Sequence, residues 1–198
     1  MHAVHFYHQH ALHRLRFTNF WLYELSAWFQ AFALSLIWVF IPILLLKSGY
    51  ELSDIILYYL MYHAFDIPLN FCARVFVRWI GARAVIALSM FAATGFFALF
   101  LQISGNSWQV LVMLAACAAL YDTLYWVAHI FLFIQSDRAV LRTGSNTGTM
   151  YALRQLATLM GPAIGAATLI FFDQRVLLWA TMVLLALSLI PLFAMGKG

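Results

Sequence analysis

The chain has 198 residues, 65% of them apolar, 17% aromatic and only 9% charged, with a formal net charge of +4. A soluble domain carries about 25% charged residues, so this composition excludes an ordinary water-facing surface. The basic excess forms no cluster interleaved with aromatics outside the apolar runs, which argues for anchoring at a membrane surface and against a nucleic-acid partner.

The chain opens on a His-rich stretch, residues 1–18, with His2, His5, His8, His10 and His13. Clustered histidines can bind transition metals, but the simpler reading is a cytoplasmic N-terminal tail, and no metal site or cofactor is assigned. Residues 19–198 then form one domain. Its apolar runs are Phe20–Leu46, Ser53–Val77, Ala84–Ile103, Trp108–Ile134, Gly148–Phe172 and Val176–Met195. Each reaches the ~20 residues that a helix needs to cross about 30 Å of hydrocarbon. Backbone amides in lipid must pair within their own segment, so the runs predict an all-α, polytopic membrane protein of six transmembrane helices. The first run is too long for a secretory signal, and no small-residue cleavage site follows it. Cys72 and Cys117 fall in or near the runs and read as small buried hydrophobes, with no disulfide framework.

Charge placement gives an orientation. With the N-terminus inside, the cytoplasmic seams hold Arg14, Arg16, Arg74, Arg78, Arg83, Arg138, Arg142 and Lys197, and the outer seams only Lys47 and Arg175. This asymmetry predicts both termini in the cytoplasm of a cell (inner) membrane protein, and Trp21, Trp79, Trp108 and Trp179 near run ends fit interfacial belts.

An ionisable side chain near the middle of a span costs about 2.5–3.5 kcal/mol on insertion scales, so such residues face a bundle interior or a watery cavity. Glu24, His63, Asp66, Asp122, His129 and Arg154 all fall within the runs. In the second run Tyr59, His63, Asp66, Asn70 and Arg74 recur at spacings of four, three, four and four, which puts them on one helix face. That face reads as a hydrated cavity wall or as a hydrogen-bonded seam between helices. In the fourth run Asp122, Trp126 and His129 share a face, with Tyr125 beside them. The fifth run carries Thr147, Tyr151, Arg154, Thr158 and Thr168. A buried guanidinium needs an acceptor, so Arg154 is expected to pair with Asp66 or Asp122, or else to bind an anionic solute.

The same run holds Gly148, Ala157, Gly161, Pro162, Gly165 and Ala166, small residues that let helix backbones approach, with a proline that bends the helix. This pattern resembles the fifth-helix glycine–proline motif of the major facilitator superfamily, with alanine at two of the glycines. Between the second and third runs, Arg74 to Arg83 stands where that family has a glycine, an aspartate and a basic cluster. Gly81 and Arg83 match, while Arg78 takes the place of the aspartate, so the charge-relay role of that loop is not carried over. Pro42, the Lys47–Tyr50 turn and the Ser136–Arg138 loop with Gly144 are also similar. The arginine often found in the family's fourth helix is absent.

The resemblance implies one six-helix half of a secondary active transporter. Such a half moves a small solute by alternating access, coupled to an ion or proton, without being an enzyme. It implies a second six-helix half as partner, in a longer chain or by homodimerisation, besides the lipid bilayer and the solute. The family's first and fourth helices line the cavity, making Glu24, Trp28, Asp122, Tyr125, Trp126 and His129 candidates for solute binding or ion coupling. Its second and fifth helices face the other half, making His63, Asp66, Asn70, Arg154, Gly161, Pro162 and Gly165 candidates for interface or gate. The rival readings are a non-transporting six-helix assembly subunit and, behind it, an intramembrane enzyme using His63 and Asp66.

Overall fold

A computed structural model describes the backbone of residues 2–138 and 143–196, and side chains over 19–135 and 148–196. Among the described residues the chain is helical throughout: α1 His2–Ser35, a 3-10 turn at Trp38–Phe40, α2 Ile41–Lys47, α3 Leu52–Ile80, α4 Ala82–Leu101, α5 Trp108–Arg138, α6 Thr143–Phe171 and α7 Gln174–Ala194. The helices coincide with the apolar runs, with two differences. The expected N-terminal tail is helical from His2 onward, continuous with α1, while the side chains of its histidines lie outside the described residues. The first run, expected as a single helix, breaks before it ends.

The break has a chemical cause. Pro42 has no N–H and its ring crowds the carbonyl four residues back, so the α-helical ladder is disfavoured there and breaks. Between Leu36 and Ile41 the bonds shorten to a 3-10 pattern, with Ile37 N–H donating to Leu34 (3.1 Å) and Phe40 N–H to Ile37 (2.8 Å). Pro42 then sits in the first turn of α2, where a missing donor costs nothing.

Among the described residues, four segments are long and apolar enough to cross a membrane: Asn19–Lys47, Ala82–Leu101, Trp108–Gln135 and Gln174–Ala194. The remaining two long helices, α3 and α6, have 29 residues each and interrupt their apolar surface with polar groups. Asp66, Asn70, Arg74 and Arg78 interrupt α3, and Arg154, Gln155 and Thr158 interrupt α6. The expectation of six spans thus divides into four strongly apolar helices and two mixed ones.

Packing places α5 against α3 and α4, and α1 against α6 and α7, while α4 also meets α7. Single polar groups stitch these contacts. Ser26 Oγ donates to the Ser188 carbonyl across α1 and α7 (2.7 Å), and Ser35 Oγ to the Ala157 carbonyl across α1 and α6 (3.0 Å). The α1–α6 approach depends on Gly161 and Gly165. A methyl at Gly161 would overlap Ser35, and one at Gly165 would overlap the Leu36 carbonyl and the Phe40 ring.

The two ends of the bundle are closed by different groups. At one end Tyr50 donates to the Ser107 carbonyl (3.0 Å), and Glu51 and Asp54 form a reciprocal capping box at the start of α3. At the other, Gly81 joins α3 to α4 at φ +84° and ψ +154°, a backbone region essentially open only to glycine. Two residues on, the Arg83 guanidinium donates to the carbonyls of Met195 and Gly196, both at 2.7 Å. These are carbonyls released at the end of α7, where a cation is also favoured by the helix dipole. The Gly196 N–H is held in turn by Asn19 Oδ1 (3.0 Å).

Three substitutions test this packing. Gly161→Val should lower the melting temperature in detergent, by about 1–3 kcal/mol of overpacking. Gly148→Ala, whose new methyl meets nothing within 4 Å, should leave it unchanged or raise it. Arg83→Gln should also lower it, by about 1–3 kcal/mol for the loss of charge-assisted bonds. Equal melting temperatures for Gly161→Val and Gly148→Ala would contradict the close approach of α1 and α6.

Candidate functional site

Halfway along the bundle the helices separate around a half-open cavity of about 300 Å³. Its walls come from α1 and the 3-10 turn (Ala31, Leu34, Ser35, Trp38), α3 (Tyr62), α5 (Tyr121, Asp122, Trp126) and α6 (Arg154, Thr158). Each element contributes what its sequence dictates. The break in α1 swings Ser35 and Trp38 to the edge of the space. Asp122 and Trp126 lie one helical turn apart and so face the same way. Thr158 precedes Pro162 by four residues, so its carbonyl lacks the helical donor that a non-proline residue would provide. The Thr158 hydroxyl donates back to the Arg154 and Gln155 carbonyls (3.1 and 3.0 Å).

Asp122 is held from across the cavity by the Tyr62 hydroxyl, 2.8 Å away. One residue on, the Thr123 hydroxyl donates to Asp66 of α3. The α3–α5 contact is therefore reciprocal: a tyrosine of α3 serves a carboxylate of α5, and a threonine of α5 serves a carboxylate of α3. Arg154 does not complete the expected ion pair. No salt bridge forms among the described residues, and the guanidinium carbon instead lies 4.4 Å from the centre of the Trp126 ring, a cation–π contact. The physical reason is the packing of α6. The glycine face of α6 is drawn to α1, with few contacts to α5, and the cavity is left between its guanidinium and the carboxylates.

Beside the cavity runs an aromatic ladder. Tyr121, Tyr125 and His129 recur every four residues on α5 and stack, with centroids 5.9 Å and then 5.1 Å apart. Tyr23 of α1 lies against the far end, its hydroxyl 2.8 Å from His129 Nδ1, and its ring stacks on the imidazole at 5.2 Å. Gln30 donates its amide to the Tyr121 hydroxyl at the near end. Glu24 is 2% exposed and its Oε1 has no hydrogen-bond partner. It lines a narrow crevice of about 10 Å³ with Trp28, His129 and Arg154. That volume is about the lower limit for one water molecule.

The residues singled out from sequence fall into three groups. Asp122, Trp126 and Arg154 meet at the cavity. Glu24, Trp28, His129 and, again, Arg154 meet at the crevice, and Tyr125 is buried in the ladder between the two. The supposed wall on α3 behaves differently. His63, Asn70 and Arg74 are exposed on its outer side, and Asn70 donates to the Asp66 carbonyl of its own helix (2.9 Å). The stripe's face thus points past the cavity; Tyr59 is half-buried against the core, and Asp66 turns inward and engages Thr123. Gly161 and Gly165 serve the α1 contact, with half-buried Pro162 between them.

Tyr62, Tyr121, Trp38, Ser35 and Gln30 were missed. Gln30 had the same signal as Glu24, a polar group at membrane depth, and Tyr62 stands one turn before Asp66. Trp38 and Ser35 gave no periodic signal because they flank the break. Among the described residues no three His, Cys, Asp or Glu side chains converge as metal ligands. No family model, curated protein or solved structure matches the chain.

The unmatched Glu24 oxygen makes a prediction. An unpaired buried polar atom costs about 1–3 kcal/mol, so Glu24→Met should raise the melting temperature in detergent by a corresponding amount. A clear fall would show that the oxygen has a partner of its own.

Proposed function

We propose that this chain is one half of a secondary membrane transporter, a six-helix unit that moves a small solute by alternating access through the cavity between α1, α3, α5 and α6. The observation that carries this reading is the cavity itself: about 300 Å³ at mid-bundle, with Asp122 and Arg154 on its walls. Ionisable groups at membrane depth are costly, and they mark solute or ion pathways. Transporters place such sites near the midplane and build them from interrupted helices, and here the wall includes the break in α1. Asp66 stands at the middle of α3 and Asp122 near the middle of α5, which suits that depth.

In this reading α3 and α6, the two mixed helices, are not bare to lipid. Their outward polar residues, His63, Asn70, Arg74 and Gln155, face a second six-helix half, from a longer chain or from a second copy. Arg74, Arg78 and Arg83 mark the cytoplasmic end, and Lys47 and Arg175 the outer one, with both termini cytoplasmic. Glu24, buried beside His129 and bordering Arg154, is the candidate for ion or proton coupling. The motif order shared with the major facilitator superfamily supports the same architecture.

Cysteine accessibility tests alternating access without knowledge of the solute. In a background with Cys72→Ser and Cys117→Ser, Ser35→Cys should react with a membrane-impermeant maleimide from either side, in right-side-out and in inverted vesicles. Reaction from one side only, or from neither, would refute alternating access through this cavity.

A further inference from the structure

We propose that the cavity takes a small zwitterion, a solute carrying an ammonium and a carboxylate on one short skeleton, as an α-amino acid does. This deepens the transport reading and rests on it for the direction of use, though not for binding itself. Asp122 on α5 and Arg154 on α6 line the same space and carry opposite unit charges, yet they form no ion pair with each other. Each is held by neutral groups that leave its charge intact. Asp122 accepts from the Tyr62 hydroxyl (2.8 Å) and from the Trp126 side chain, both neutral donors. Arg154 rests on the Trp126 face, a contact that uses none of its N–H donors, and its side-chain hydrogen bond goes to the neutral Tyr125 hydroxyl, which leaves further donors of the guanidinium open. A carboxylate retains further acceptor sites after such bonds, and a guanidinium has five donors.

The charge balance then selects the solute. A buried charge without a counter-charge is strongly disfavoured. A monocation would satisfy Asp122 and leave Arg154 facing a second positive charge, and a monoanion would do the reverse. A neutral apolar solute would displace water from both and compensate neither. A zwitterion matches both groups at once and leaves the cavity neutral. Asp66 and Glu24 do not enter this balance as wall residues, because Asp66 is engaged by Thr123 outside the lining and Glu24 meets Arg154 only in the separate narrow crevice. Besides the hydroxyls of Ser35 and Thr158, the remaining wall includes Ala31, Leu34, Trp38 and Tyr121, which offer a surface for a hydrocarbon side chain. At about 300 Å³ the space sits at the small end of ligand pockets, which favours a single amino acid over a peptide.

The test uses the purified full chain in detergent and three probes, glycine, leucine and phenylalanine, each with its amide and its N-acetyl derivative. The amide keeps only the positive charge and the N-acetyl acid only the negative one. Binding is read by calorimetry. At least one free amino acid should bind saturably, with both of its derivatives about tenfold weaker or worse, since a lost charged hydrogen bond amounts to a decade or more in affinity. Asp122→Asn should narrow the gap for the N-acetyl acid, and Arg154→Gln the gap for the amide. An amide or an N-acetyl acid that binds the unaltered protein as tightly as its parent overturns the proposal, as does the absence of saturable binding by all three amino acids. These outcomes are independent of whether either variant folds. The transport reading fails separately: saturable zwitterion binding in detergent, with no uptake of the same amino acid into proteoliposomes, would leave the site standing and remove the transport.

Discussion

The constraint behind this structure is that a polar side chain among apolar helices can be satisfied only by another protein group or by a trapped water. The bundle meets it with a few paired contacts, each spanning two helices. Tyr62 with Asp122 and Thr123 with Asp66 join α3 to α5; Gln30 with Tyr121 and Tyr23 with His129 join α1 to α5; Ser26 and Ser35 join α1 to α7 and α6. Apolar packing between helices of this kind is permissive, because one leucine face resembles another. The polar pairs supply register, since each joins particular residues of two helices. Glu24 Oε1 and Gln30 Oε1 are left without partners, and at Asp122, Arg154 and Glu24 the structure opens into a cavity or a crevice. Ionisable groups and open space meet there, and that meeting is the physical basis of the functional reading.

Much of this architecture is legible in the amino-acid order. Apolar runs locate every long helix, because about twenty apolar residues is the length a helix needs to cross hydrocarbon and such runs stand out in any sequence. The small-residue pattern around Gly161 and Gly165 announces a close helix approach, and the structure supplies its partner, the Ser35–Leu36 end of α1. Gly81 and Arg83, the two loop positions that match the family pattern, have local reasons for being there: a backbone angle closed to other residues, and a cap on the end of α7.

The site was legible in part. Asp122, Trp126 and Arg154 were found because charge and aromatic bulk at membrane depth are conspicuous in any sequence. Their arrangement was not, since a one-dimensional pattern gives the face of a residue but not what that face meets. The α3 stripe shows the difference. Its periodicity is real, yet a small rotation of the helix carries His63 and Asn70 to the outside and brings Tyr62 to the cavity. The Arg154 pairing failed for a related reason. Opposite charges at similar depth predict direct pairing, whereas α6 packs mainly on α1 and an aromatic face provides a second place for the guanidinium to rest.

The interruption of α1 also has a mechanical side. Helix α1 below it packs with α6 and α7, whereas α2 above it packs with α3, whose first turn lies beside the Tyr50–Ser107 tie to α5. The 3-10 turn at Trp38–Phe40 therefore lies on the seam between two groups of helices, and Gly161 and Gly165 press against α1 just beside it. A few backbone torsions there can absorb a tilt of one group against the other.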